Sequence, residues 1–93
     1  IVKNYSLDLN SRIISSDKNN LKLTEREMEI IIFLHESETP QKIVNLQSKV
    51  WGYLSDLETH TVETHVYRLR KKINESFNDD DFLISTEDGY FIK

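Results

Sequence analysis

From His60 to Ile73 the chain reads HTVETHVYRLRKKI. Val62, Val66, Leu69 and Ile73 recur at i, i+4, i+7 and i+11. That spacing draws a single apolar stripe down one side of a helix. A stripe so narrow must be buried against other elements, because an isolated helix of this length is marginal in water. The remaining faces carry His60, Thr61, Thr64, Tyr67, Arg68, Arg70, Lys71 and Lys72. Four cations stand there against one acid, Glu63, in a chain whose net charge is −4. A helix anchored on one side and cationic on the other suits a polyanion such as DNA, because electrostatic binding depends on where charge sits, not on its sum.

The rest of the chain must supply the surface that buries the stripe. With 93 residues, 38% hydrophobic and 30% charged, it is one domain spanning 1–93 with a modest core. It has no cysteine, so disulfides and thiolate metal sites are excluded. No apolar run approaches the roughly 20 residues that cross a bilayer, and no signal peptide is visible. No membrane partner and a cytoplasmic location are expected. The first residue is Ile1 and not Met, so a domain excised from a longer chain is expected.

Tyr5–Leu9 and Arg12–Ser15 read as strands joined at Asn10-Ser11, and Leu21–Leu23 as a third. Thr24 with Glu27 forms a capping box that opens a helix, along which Met28, Ile31, Ile32 and His35 continue a face that Ile30, Phe33 and Leu34 widen. Thr39-Pro40 reads as the start of a second helix, with Ile43, Leu46 and Val50 on one face and Gly52 at its end. Gly52 to Glu58 is a loop. The basic helix follows and ends near Asn74, and Ser76–Asp81 is a solvated acidic connection. Phe82–Thr86 and Tyr90–Ile92 are strands turned at Asp88-Gly89. The fold class is α+β: a winged helix-turn-helix with an N-terminal antiparallel sheet, three helices and a C-terminal β-hairpin wing. The basic helix is then the recognition helix, sized for a major groove about 12 Å wide.

Leu7-Asp8-Leu9, Leu23-Thr24 with Glu27, Val50-Trp51-Gly52, Thr61-Val62-Glu63, His65, Arg68 to Lys72 and Gly89-Tyr90 occur in that order. Together they resemble the C-terminal effector domain of OmpR/PhoB-family response regulators, over about Tyr5 to Ile92. The resemblance implies a four-stranded N-terminal sheet, control of transcription by binding tandem direct repeats in double-stranded DNA, and homodimers of the full-length protein. It also implies an N-terminal phosphoacceptor receiver domain, hence a two-component phosphorelay. The loop before the recognition helix can contact RNA polymerase in the family; here it carries Tyr53, Asp56 and Glu58.

Carried over by position, Thr61, Thr64 and Arg68 face base edges, and His60, Tyr67, Arg70, Lys71 and Lys72 face phosphates. If about four cationic contacts form per copy, the log–log salt slope is near −3.6. Two departures stand out. Tyr67 replaces an Arg found in some relatives. The wing reads Thr86-Glu87-Asp88-Gly89, where relatives often carry an Arg and two glycines ahead of the Tyr; with Thr86 at the Arg position and two acids at the turn, little minor-groove binding by the wing is expected.

Other features have plainer readings. His65 is expected at the core edge, Trp51 and Tyr90 in the core, and His60 exposed. His60 and His65, five apart, do not form the i, i+4 pair of a helical metal site. There is no HExxH and no glycine-rich phosphate loop, so neither catalysis, nor a metal, nor a cofactor is expected. The rival reading is a protein-interaction winged helix with weak or vestigial DNA binding, presenting its acidic wing, Asp56, Glu58 and Asp79–Asp81 to a basic partner.

Overall fold

A computed structural model describes residues 5–52 and 58–92. Three short strands, β1 (Ser6–Asp8), β2 (Ile13–Ser15) and β3 (Asn20–Lys22), form an antiparallel sheet in the order β1-β2-β3. Leu7 faces Ile14, and Ile14 faces Leu21 on the other side, so one buried residue centres the sheet. Between β1 and β2 the Asp8 carboxylate accepts the Asn10 and Ser11 N–H groups at 3.0 and 3.4 Å, and Arg12 takes the left-handed conformation (φ 58°). Among the described residues this sheet has three strands, not the four that the family resemblance implies.

Helix α1 (Glu25–Glu36) begins at the capping box as read: Thr24 Oγ1 accepts the Glu27 N–H at 3.2 Å, and Glu27 Oε1 accepts the Thr24 N–H at 2.8 Å. Ile30, Ile31 and Leu34 are fully covered. His35 is exposed, in the last turn, and does not continue the buried face. It sits instead where the helix dipole favours a cation.

Helix α2 (Ile43–Trp51) starts later than Thr39-Pro40 suggests. Lys42 is its N-cap, in extended conformation and without a side-chain cap bond. The intervening Gln41 is drawn into a two-way bridge with Tyr90: Gln41 N–H donates to Tyr90 O and Tyr90 N–H to Gln41 O, both at 2.8 Å. Tertiary pairing has taken the residues that local capping rules assigned to a helix. Gly52 closes α2 as expected, at φ 99°.

Helix α3 (Thr59–Phe77) buries Val62, Val66, Leu69 and Ile73, the stripe read from the sequence. It runs one turn beyond Asn74, to a left-handed C-cap at Asn78 (φ 54°). The extra turn has a tertiary cause. Phe77 meets the Tyr5 ring at 4.8 Å, and Phe82 meets the other side of Tyr5 edge-on at 5.4 Å. The Tyr5 hydroxyl donates to Asp79 Oδ2 at 2.7 Å, so Asp79 ties the residue before β1 to the segment after α3 and is not simply solvated as expected.

Burial, and then the hydrogen bond to Asp79, push the Tyr5 phenol up to about 12. A raised folded-state value means that the stabilisation is complete below the unfolded value near pH 10 and disappears as pH climbs toward about 12. Urea midpoints across that window should therefore fall more steeply for the native chain than for Tyr5→Phe. Parallel slopes would show that the phenol is not the titrating group.

Strands β4 (Leu83–Thr86) and β5 (Gly89–Ile92) pair antiparallel, Thr86 opposite Gly89. The turn residues are thus Glu87 and Asp88, one step earlier than the Asp88-Gly89 turn read from sequence. Neither has positive φ; Gly89 does, at 128°. Tyr90 packs on the core and both it and Phe91 are half-buried, so the wing lies along the body of the fold. Of the described residues, no helix is long and apolar enough to cross a membrane, and no three potential metal ligands cluster.

Candidate nucleic-acid interface

Two helices packed on each other, α2 and α3, with a hairpin alongside, define what this site can be. Because one side of α3 is locked into the core, the opposite side has a fixed orientation. That side holds His60, Glu63, Tyr67, Arg68, Arg70 and Lys71, all exposed, with Thr61 and Thr64 half-buried at its shoulder. Tyr67 is the most prominent apolar body there, 64% exposed. Together with Arg70, Lys71 and Asn74 it lines a shallow cleft that Asp80 closes. Arg68, Arg70 and Lys71 have no ion-pair partner among the described residues. Uncommitted cations on a rigid helix face are poised for anions from outside the chain.

Lys72 is different. Its ammonium lies 2.8 Å from Glu27 Oε1, and the pair is largely covered, with the two side chains 33% and 10% exposed. Glu27 therefore serves twice, closing the α1 capping box and holding α3 against α1. Lys72, expected toward phosphates, is thus paired with Glu27 in the DNA-free domain. Nothing in the local sequence marks this, because the partners are 45 residues apart.

His65 stacks edge-on against Trp51 at 5.1 Å, half-buried as expected. Trp51 is also half-buried, at the core margin. The Arg26 guanidinium stands 5.8 Å from the Trp51 ring centre and donates to Val50 O at 2.9 Å, capping a free carbonyl at the α2 C-terminus. Three helices meet in this stack, which fixes where α2 hands over to α3.

The wing is fastened as well. Lys42 Nζ donates to Glu87 O at 3.2 Å, the Thr86 hydroxyl donates to Gly89 O at 3.1 Å, and Asp88 N–H donates to Thr86 Oγ1 at 3.2 Å. The carboxylates of Glu87 and Asp88 are left exposed at the tip. Tyr90 is held up by burial and by the Glu63 charge, with Arg70 acting against them. Glu63 and Arg70 thus lie on the wing side of α3, and Lys72 and His65 on the side of α1 and α2. Lys42 and Gln41 as wing anchors were missed by sequence reading; the glycine at position 89 was the available signal. Tyr53 and Asp56 lie outside the described residues. Glu58 is the exposed N-cap of α3 and makes no side-chain cap bond.

A buried-stripe helix presented by a second helix and flanked by a hairpin defines a winged-helix DNA-binding domain. The family model described as "Transcriptional regulatory protein, C terminal" matches residues 18–92, and the chain belongs to this family of OmpR/PhoB-type DNA-binding transcription regulator domains, which are not enzymes. It is 32% identical over 94 residues to the transcriptional regulatory protein SrrA of Staphylococcus aureus, covering 98% of this chain. The chain spans 38% of that protein's length. The DNA-binding domain of the response regulator AdeR, solved with an intercistronic region, superposes with a TM-score of 0.82 at 28% identity, covering 100% of this chain and 97% of that one. The DNA-binding domain of Escherichia coli CadC shares the fold, with a TM-score of 0.84 at 22% identity over 100% of this chain and 89% of its own.

Proposed function

We propose that α3 reads a specific duplex sequence from the major groove, with Thr61, Thr64 and Arg68 toward the bases and His60, Tyr67, Arg70 and Lys71 toward the phosphates. The observation that carries this reading is the row of cations without partners among the described residues, on the solvent side of a helix whose other side is fully buried. Arg68 offers only donors, in a fork that fits guanine O6 and N7. The backbone contacts position the helix without reading sequence.

By analogy with the relatives, the parent protein is a cytoplasmic response regulator in which a phosphorylated receiver promotes homodimers on tandem direct repeats. The loop holding Tyr53, Asp56 and Glu58 is then the surface offered to RNA polymerase. Two copies on adjacent repeats raise each other's effective concentration, which compensates for the few contacts one copy makes.

Withdrawing Lys72 changes a number that can be measured. With Arg68 on the bases, Arg70 and Lys71 are the two cations left for phosphates, and they imply a log affinity against log salt slope of roughly −1.8. Fluorescence anisotropy on a selected duplex at several salt concentrations gives it directly. A slope near zero sinks the phosphate-driven mode and leaves the protein-interaction reading. Arg68→Ala should reduce discrimination at one base pair on the order of ten- to a hundredfold, while Lys71→Ala weakens all duplexes alike.

A further inference from the structure

The side-chain hydroxyl of Thr64 is already engaged. Thr64 Oγ1 donates to His60 O at 3.0 Å, one turn back along α3. A threonine hydroxyl has one proton and two lone pairs. With the proton spent on the helix backbone, Oγ1 turns only lone pairs outward. The same bond selects the χ1 well of a β-branched side chain that has few to choose from, so the lone pairs and the γ-methyl hold a fixed direction before any duplex arrives. Four residues on, Arg68 is exposed, has no partner among the described residues, and offers only donors. Two neighbouring readers on one helix face thus carry opposite hydrogen-bonding character.

We infer that Thr64 is an acceptor-only reader: it takes a hydrogen bond from an exocyclic amino group in the major groove, adenine N6 or cytosine N4, and does not donate to a purine N7 or a carbonyl oxygen. The inference rests on α3 being the base-reading helix, and it deepens that assignment by stating which chemical group Thr64 recognises. An acceptor beside a donor-only arginine rejects two guanines in succession on the contacted strand, since guanine presents only acceptors there. Rotating the hydroxyl toward such an acceptor would break the bond to His60 O inside a desolvating interface, where a lost hydrogen bond is costly.

The test uses this chain and a duplex chosen from a randomised pool, with analogues placed at each base pair in turn. Unsubstituted purine replaces adenine, or pyrimidinone replaces cytosine, to delete the amino group; deazapurines delete N7. At one base pair, deleting the amino group should weaken native binding roughly three- to tenfold. It should leave Thr64→Val unaffected, while Thr64→Ser, which keeps Oγ, should still lose affinity when that amino group is deleted. If Thr64→Val instead becomes insensitive to loss of N7, or couples to no analogue at any position, the acceptor-only assignment is overturned. Arg68→Ala measured on the same duplexes separates the two ideas. Relaxed preference there with no amino coupling at Thr64 rejects only this inference, whereas unchanged preference for both variants rejects base reading by α3 altogether.

Discussion

Replacing Gly89 with alanine should cost the domain roughly 2–4 kcal/mol and lower its melting temperature on the order of 10–30 °C. The reason is a close approach of two backbones. A β-carbon at Gly89 would overlap the carbonyl carbon and oxygen of Gln41 and stand 2.8 Å from Lys42 N. Those atoms are backbone, which cannot rotate away as a flexible side chain could. Gly89 also sits at φ 128°, a conformation that L side chains rarely adopt. To relieve the overlap the hairpin must lift from the segment before α2, which breaks the two 2.8 Å bonds between Gln41 and Tyr90. Amide exchange at Tyr90 would report that release residue by residue. An alanine variant with native melting and a protected Tyr90 amide would show that the wing is not held this way. Recognition should suffer less than stability, since α3 keeps its own buried stripe.

Glu27→Ala should destabilise by roughly 2–3 kcal/mol, because one carboxylate supports both a helix start and an interhelical ion pair. The partial exposure of Lys72 holds the figure below that of a fully buried pair. Glu27→Gln keeps an acceptor for the Thr24 N–H and should lose about half as much. The more telling result lies in DNA binding. Freed from its partner, Lys72 becomes a third cation on α3 available to phosphates, so the salt slope of the glutamine variant should steepen from roughly −1.8 toward −2.7. Chemical denaturation and anisotropy titration on the same preparation read both effects. A variant as stable as the native chain, with an unchanged slope, would mean that the pair makes no net contribution.

What could be read from the sequence was what depends on neighbours along the chain. The stripe of Val62, Val66, Leu69 and Ile73 follows from helical geometry alone, and all four are buried. The Thr24–Glu27 box joins residues three positions apart and is present in full. Features set by distant partners were not legible. Thr39-Pro40 carries good helix-start chemistry, yet Gln41 pairs with Tyr90 and delays α2 to Ile43. Asn74-Glu75-Ser76 looks like a helix end, yet α3 continues because Phe77 has Tyr5 to pack against. Lys72 belongs to a basic run, and only the fold reveals Glu27 beside it. The site was legible as a face and a charge. Which of its cations remain uncommitted was not, because that depends on contacts made across the core.

The acidic wing tip has a consequence for how such a domain moves on a genome. Glu87 and Asp88 are exposed beside a helix with three uncommitted cations. If α3 faces the duplex as proposed, its cations supply the attraction to phosphate on random sequence, and a hairpin tip beside it subtracts from that attraction. Under the proposed assignment, dwell times on the wrong DNA should be short, and the search should proceed more by release and recapture than by long slides. If α3 reads the bases and copies pair on adjacent repeats as proposed, residence at the right promoter is set by those two terms, and occupancy should follow the supply of paired copies more closely than the total amount of protein.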